Sequence, residues 1–199
     1  MRSKTPVLLT VCLLLSLPLF AQEHQHHQMT PEEMKMMEAY QKAGTPGDAH
    51  KALDAMTGTW NTVIRFYQAP GAPPEESTGI SENRWILGGR YLEQRFKGSA
   101  MGQPFEGIGY TGYDNLRKQY VGTWMDSMST AVMYTTGTAT APGKWKFTGT
   151  MDDPMTGKAQ PLEEIITIDG PDKHTFVMMG PGADGKMFKT MEIVYTRKK

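Results

Sequence analysis

"LDAMTGTWNTVIRFY", residues 53–67, decides the fold, because the spacing of the apolar side chains changes within it. Before Gly58, the residues Ala49, Ala52, Leu53 and Met56 recur three and four apart, which places them on one face of a short helix capped by Asp48. After it, Trp60, Thr62, Ile64 and Phe66 alternate with Asn61, Val63, Arg65 and Tyr67, the period of a strand. The stretch predicts a helix that delivers the chain to a first strand with Trp60 near its start.

Downstream, about ten strand candidates follow, separated by turn chemistry. The turns are APGAPPEES, LGGR, GSAMGQP, YDNLRK, TAPGK, DDPMTGKAQP, DGPDK and GPGADGK. Short strands joined in series by hairpin-sized turns make an all-β, up-and-down antiparallel meander. Closing it into a barrel removes the exposed edges.

Upstream, Arg2 and Lys4 precede an apolar run from Val7 to Leu15, then Ser16, Pro18 and Ala21, the layout of a secretory signal peptide cleaved after Ala21. The chain is therefore expected to be exported, periplasmic or secreted. No later segment approaches the roughly 20 apolar residues of a membrane span. The single cysteine, Cys12, falls in the leader, so the folded protein must be stable without disulfides. Discarding residues 1–21 of 199 removes Arg2 and Lys4 and leaves 178 residues, with 19 basic against 21 acidic side chains. That balance offers no basic patch for nucleic acid or an anionic membrane.

Residues 22–30, QEHQHHQMT, read as a polar, disordered tail. His24, His26 and His27, with Met29, Met34, Met36 and Met37, carry donor atoms suited to copper, although nothing local fixes their geometry. Thr30-Pro31-Glu32-Glu33 then opens a helix that ends near Gly44, with a capping box and Pro at the first helical position. Short helices thus occupy residues 31–57 and the barrel residues 58–199.

A helix, then Gly-x-Trp on the first strand, then a meander ending in a basic residue resembles the lipocalin and calycin-like barrels. The resemblance implies a structural pair, in which Arg197 of MEIVYTR packs over Trp60 at the barrel base. The set GTW, PGAPP, LGGR, MGQPFEG, GYDN, TWMDSM, DDPMTGK and MEIVYTR is similar to the bacterial family known as domain of unknown function 1579, over roughly residues 53–199. That likeness implies a calycin-like barrel and no established activity, so function rests on the residues themselves.

Two hairpins carry the candidate site. A turn at Gly88-Gly89 sets Arg84 opposite Glu93 and Glu82 opposite Arg95, with Trp85 facing Leu92 on the other side. The four charges form either an exposed cross-strand ladder or a polar lining for an anionic or zwitterionic ligand. In the second hairpin, a four-residue loop at residues 114–117 sets Tyr113 opposite Lys118, Gly109 opposite Gly122, Gly107 opposite Trp124 and Phe105 opposite Asp126. Trp124 either covers bare glycine backbone or walls a ligand hollow, in which Asp126 and Tyr113 are the polar groups beside Gly107 and Gly109.

The expected function is therefore binding of a small apolar or amphipathic molecule. Two rivals remain: an enzyme using Asp126 or Glu106 as acid/base with Tyr113 as partner, and a filled barrel that acts through its surface. A buried carboxylate with a raised pKa would favour the enzyme. No cofactor or metal is assigned, since phosphate loop, HExxH motif and nucleophile elbow are all missing. His174 is a possible haem ligand of the nitrobindin kind, or simply a half-exposed histidine at a strand start. The 15 methionines left after Met1 suit an irregular, adaptable core.

Overall fold

A computed structural model describes residues 29–199 of the protein; the leader and the histidines at 24, 26 and 27 lie outside them. Helix α1, Pro31–Gly44, begins as its sequence dictates. The Thr30 hydroxyl accepts from the Glu33 N–H at 3.2 Å and the Glu33 carboxylate accepts from the Thr30 N–H at 2.7 Å. No residue of α1 is buried. Helix α2, Asp48–Lys51, is followed by a 3-10 turn, Asp54–Met56. Asp48 is its first residue and not its cap, because Gly47 takes the cap position with its N–H donating to His50 Nδ1 at 3.1 Å. Leu53 and Met56 are buried as expected, whereas Ala52 faces solvent.

Ten strands follow among the described residues: β1 Gly58–Phe66, β2 Glu75–Ile86, β3 Tyr91–Ala100, β4 Gln103–Asp114, β5 Gln119–Asp126, β6 Met133–Ala141, β7 Lys144–Asp152, β8 Ala159–Gly170, β9 Lys173–Pro181 and β10 Met187–Arg197. Each pairs antiparallel with its neighbours in sequence, and β1 pairs with β10, so the meander closes into the expected barrel. Closure satisfies the backbone groups that an open edge would leave exposed. No helix of the described residues is long and apolar enough to cross a membrane.

The first hairpin has the expected register, with Arg84 opposite Glu93, Glu82 opposite Arg95 and Trp85 opposite Leu92. Leu87, Gly88 and Gly89 all take positive φ in its turn. The second hairpin is displaced by two residues from expectation: Tyr113 pairs with Tyr120, Gly109 with Trp124 and Gly107 with Asp126. Asp114 belongs to the strand rather than the loop. Its side chain accepts from the Leu116 and Arg117 N–H groups, its carbonyl accepts from the Lys118 N–H at 2.7 Å, and Lys118 takes φ 55° to complete the turn. An aspartate that hydrogen-bonds the backbone two residues on shifts the loop toward the C-terminus, and the register follows.

The packed core lies at the end of the barrel where the short helices sit. Leu53 and Met56 meet Leu92, Tyr120, Trp145 and Phe147, flanked by Trp85, Tyr113, Ile166 and Ile168. Trp60 closes this floor, with its indole N–H donating to the Met56 carbonyl at 3.0 Å. The Arg197 guanidinium lies 4.1 Å from the Trp60 ring centre, directly across from it in the register. From there it donates to the Thr57 carbonyl at 2.8 Å and, through Nη2, to the Pro171 carbonyl at 3.0 Å. One side chain thus joins the last strand to the 3-10 turn and to the β8–β9 connection.

Candidate functional site

Strand alternation carries one side chain in two into the barrel. Above the floor, a polar chain crosses the interior. The Asn83 amide donates to the Met56 carbonyl at 2.9 Å, Ser81 Oγ donates to Asn83 Oδ1 at 2.8 Å, and Gln94 Nε2 donates to Ser81 Oγ and to the Tyr195 hydroxyl. Burial pushes the Tyr195 phenol up to about 12, so it stays neutral. His174, 3% exposed, is stacked on Tyr195 at 4.1 Å and meets the Trp60 face edge-on at 4.4 Å. It is not a half-exposed histidine: burial first, and the Arg197 charge second, lower it to about 4. Closure of β1 onto β10 sets Trp60 and Tyr195 against it, which no feature local to β9 reveals. Its Nδ1 has no partner, and the ring serves as packing in the floor.

Toward the end away from the helices, Phe66, Phe176, Met178, Met191 and Ile193 of the neighbouring strands β1, β9 and β10 face inward, yet are only half-buried. They reach solvent, whereas Ile64, Phe96, Phe147 and Leu162, which also face inward, are sealed from it. Glycines shape the wall. A methyl built on Gly107 would overlap the Trp124 ring, and one on Gly109 would come within 3.0 Å of it, so the indole lies against bare backbone. Phe96 lies likewise over Gly98, and Phe147 over Gly137. Each ring covers bare strand backbone; Phe96 and Phe147 are buried, and Trp124 is half-buried.

Within that wall stands Glu164, unremarked as a candidate in the sequence. It is 7% exposed, and Thr135 Oγ1 donates to its Oε2 at 3.1 Å. No cation pairs with it among the described residues, and burial raises its carboxyl to about 7. The signal was present: in PLEEIITI, Leu162, Glu164, Ile166 and Ile168 alternate with Glu163, Ile165 and Thr167, which puts one carboxylate among apolar residues of one face.

The residues proposed from the sequence are distributed differently. Trp124, Asp126, Gly107 and Gly109 form one cluster on the inner wall near the open end, in which the Trp124 indole donates to Asp126 Oδ2 at 2.9 Å. Asp126 Oδ1 also accepts from the Met128 N–H at 2.9 Å, which ties the start of the β5–β6 loop. Tyr113 is not with them. It sits four residues along the sheet toward the floor, edge-on to His50 and to Tyr120. Glu106 points outward to Lys97 at 3.1 Å, and cannot serve the interior as an acid or base. The charged ladder is also outside, because Trp85 and Leu92 take the inner face. Even so, Glu93 is buried beneath its partners, and the hydrogen bond from Arg95, then that from Arg84, holds its carboxyl below the usual range. Among the described residues, no group of three or more His, Cys, Asp or Glu side chains could hold a metal ion.

Two solved structures share this architecture. Rv2717c from M. tuberculosis is 17% identical, with a TM-score of 0.55 over 78% of this chain and 100% of that one. The S-type phycobiliprotein lyase CPES from Guillardia theta is 14% identical, with a TM-score of 0.54 over 76% of this chain and 93% of that one. Both likenesses are of fold. No curated protein matches the sequence. The barrel, the Gly-x-Trp start and the final Arg197 coincide with a family match over residues 45–197, and the chain belongs to that family, described as protein of unknown function (DUF1579).

Proposed function

We propose that the barrel binds a small apolar or amphipathic molecule in the hollow at the end away from the helices. The observation that carries this reading is the patch of inward but half-buried apolar side chains on the neighbouring strands β1, β10 and β9, Phe66, Phe176, Met178, Met191 and Ile193, beside a buried polar pair, Glu164 and Thr135. An apolar concavity with few polar groups is the usual form of a small-molecule site. Trp124 borders the hollow and reports on it. Native mass spectrometry of protein purified from its own host tests the reading: a retained small molecule is expected, released by acid and lost from a Trp124→Ala variant that keeps its fold. Protein that carries no extra mass, and whose tryptophan fluorescence no hydrophobic probe alters, would overturn it.

A second reading is favoured by one observation, the Glu164 carboxyl brought to about 7, where a group can both take and give a proton. Under it, the retained molecule is a substrate or product. Incubation with wild-type protein would change its mass or structure, and Glu164→Gln would stop the change.

Residues 1–21 are proposed as a cleaved signal peptide, on the basic start, apolar run and Ala21 of the sequence. Intact-mass measurement of the protein from the extracytoplasmic fraction should find a chain beginning at Gln22.

A further inference from the structure

We propose that the occupant of this hollow is a cationic amphiphile: an organic amine whose apolar body lies on the aromatic and aliphatic wall and whose ammonium meets Glu164. The inference rests on the binding reading above and adds the charge of the ligand.

The first argument is the distribution of charge. Alternation from the buried residues assigns every Lys and Arg of the ten strands to the outer face except Arg197, which is committed to the floor over Trp60. Arg65, Arg84, Arg95, Lys97, Lys146 and Lys189 each pair with an outward carboxylate. The inner face holds the opposite sign. Glu164 stands in the wall, and Asp126 and Glu75 stand toward the open end, opposite Gly107 and Phe66. The interior is therefore acidic and has no cation of its own near the hollow. An anionic guest would find no cation there among the described residues, whereas an ammonium would supply the counter-charge that lets the buried Glu164 ionise.

The second argument is the wall. Phe147 and Met178 are the cross-strand neighbours of Glu164, and neither can donate a hydrogen bond to a carboxylate. Thr135 supplies the one hydrogen bond to it among the described residues. Aromatic faces attract an ammonium, and more strongly where water is excluded.

Binding then couples to a proton. The side chains facing Glu164 are Thr135 from β6, Phe147 from β7, Met178 from β9 and, at longer range, the Tyr195 phenol from β10, which stays neutral below about 12. Glu164 is consequently the group that titrates near neutrality on this wall. When an ammonium arrives at slightly acid pH, the carboxyl releases its proton to solvent and the ion pair forms.

The test uses the full mature chain and three probes that differ only in head group: 4-phenylbutylamine, 4-phenylbutanol and 4-phenylbutyrate, titrated calorimetrically at pH 8. The amine should bind at least about tenfold tighter than the alcohol, and the carboxylate most weakly. At pH 6, titrations in two buffers of different ionisation enthalpy should report proton release with the amine and none with the alcohol. Glu164→Gln, which keeps an acceptor for Thr135, should abolish the amine's advantage and its proton release while leaving the alcohol's affinity. Equal binding of amine and alcohol to the wild type, or an advantage that survives Glu164→Gln, overturns the inference and leaves the binding reading standing. Failure of all three probes to bind overturns both. Should the variant not fold, the wild-type proton release decides.

Discussion

At the scale of single residues, Trp60 is the most consequential side chain. It is fully buried, hydrogen-bonded to the Met56 carbonyl, edge-on to His174 and covered by Arg197. Trp60→Ala should cost about 3–5 kcal/mol by urea unfolding. A double-mutant cycle with Arg197→Ala should return a coupling of about 0.5–2 kcal/mol, the range of a partly desolvated cation–π contact. Additive effects would mean that the 4.1 Å stacking contributes nothing in solution. The Trp124–Asp126 bond differs in kind, because both residues are half-buried near the open end. Asp126→Asn should loosen the indole and redden its emission with a loss of stability under about 1.5 kcal/mol.

At the scale of elements, the glycines of the inner wall divide by what lies above them. A methyl on Gly98 would meet the Thr78 carbonyl at 2.6 Å, and backbone in a closed sheet cannot give way. A methyl on Gly107 meets the Trp124 ring, a side chain that can swing toward the open end. Gly98→Ala should therefore destabilise by about 1–3 kcal/mol, whereas Gly107→Ala should cost less and instead change the tryptophan fluorescence. The helices divide similarly. Helix α1 buries nothing, and its C-terminal end is held by Asn115, which donates to the Ala43 and Thr45 carbonyls at 2.9 and 2.8 Å. Removing residues 22–43 should leave the strand circular dichroism and the unfolding midpoint nearly unchanged, because Thr45 and the buried Leu53 remain. Leu53→Ala in the same chain should cost about 2–5 kcal/mol.

At the scale of the whole molecule, two buried groups give stability opposing dependences on pH. Glu164 has a folded value near 7 against 4.5 ordinarily, so its contribution is complete below 4.5 and is lost as pH rises through 7. His174 has a folded value near 4 against 6.5, so its contribution is present above 6.5 and is lost as pH falls through 4. Each amounts to on the order of 3 kcal/mol, and between pH 4.5 and 6.5 the two oppose each other. Urea titrations of the wild type should show little slope in that window and a decline from pH 6.5 to 8. Glu164→Gln should remove the decline and expose the His174 dependence, with stability rising from pH 4 to 6.5. A variant whose pH profile matches the wild type would show that Glu164 does not titrate near 7 in the folded barrel.

What the sequence by itself determined was whatever is decided within a few residues of chain. The change of period at Gly58, the capping box at Thr30 and the register set by Gly88-Gly89 depend on local geometry, and each is found in the structure. The Trp60–Arg197 pairing was legible only through likeness to a family of barrels. The second hairpin shows the limit of local reasoning: the glycines and Trp124 were singled out together, yet Asp114 moved the loop and with it the register, leaving Tyr113 at the floor. What only tertiary structure decided was which face of each strand is inside and what meets across the interior. Glu163 and Glu164 are adjacent and chemically identical, but one pairs with Lys146 outside at 2.9 Å and the other is sealed beside Thr135. That difference arises when β1 pairs with β10 and gives the sheet an interior, where the low dielectric turns one of two equal carboxylates into a neutral acid.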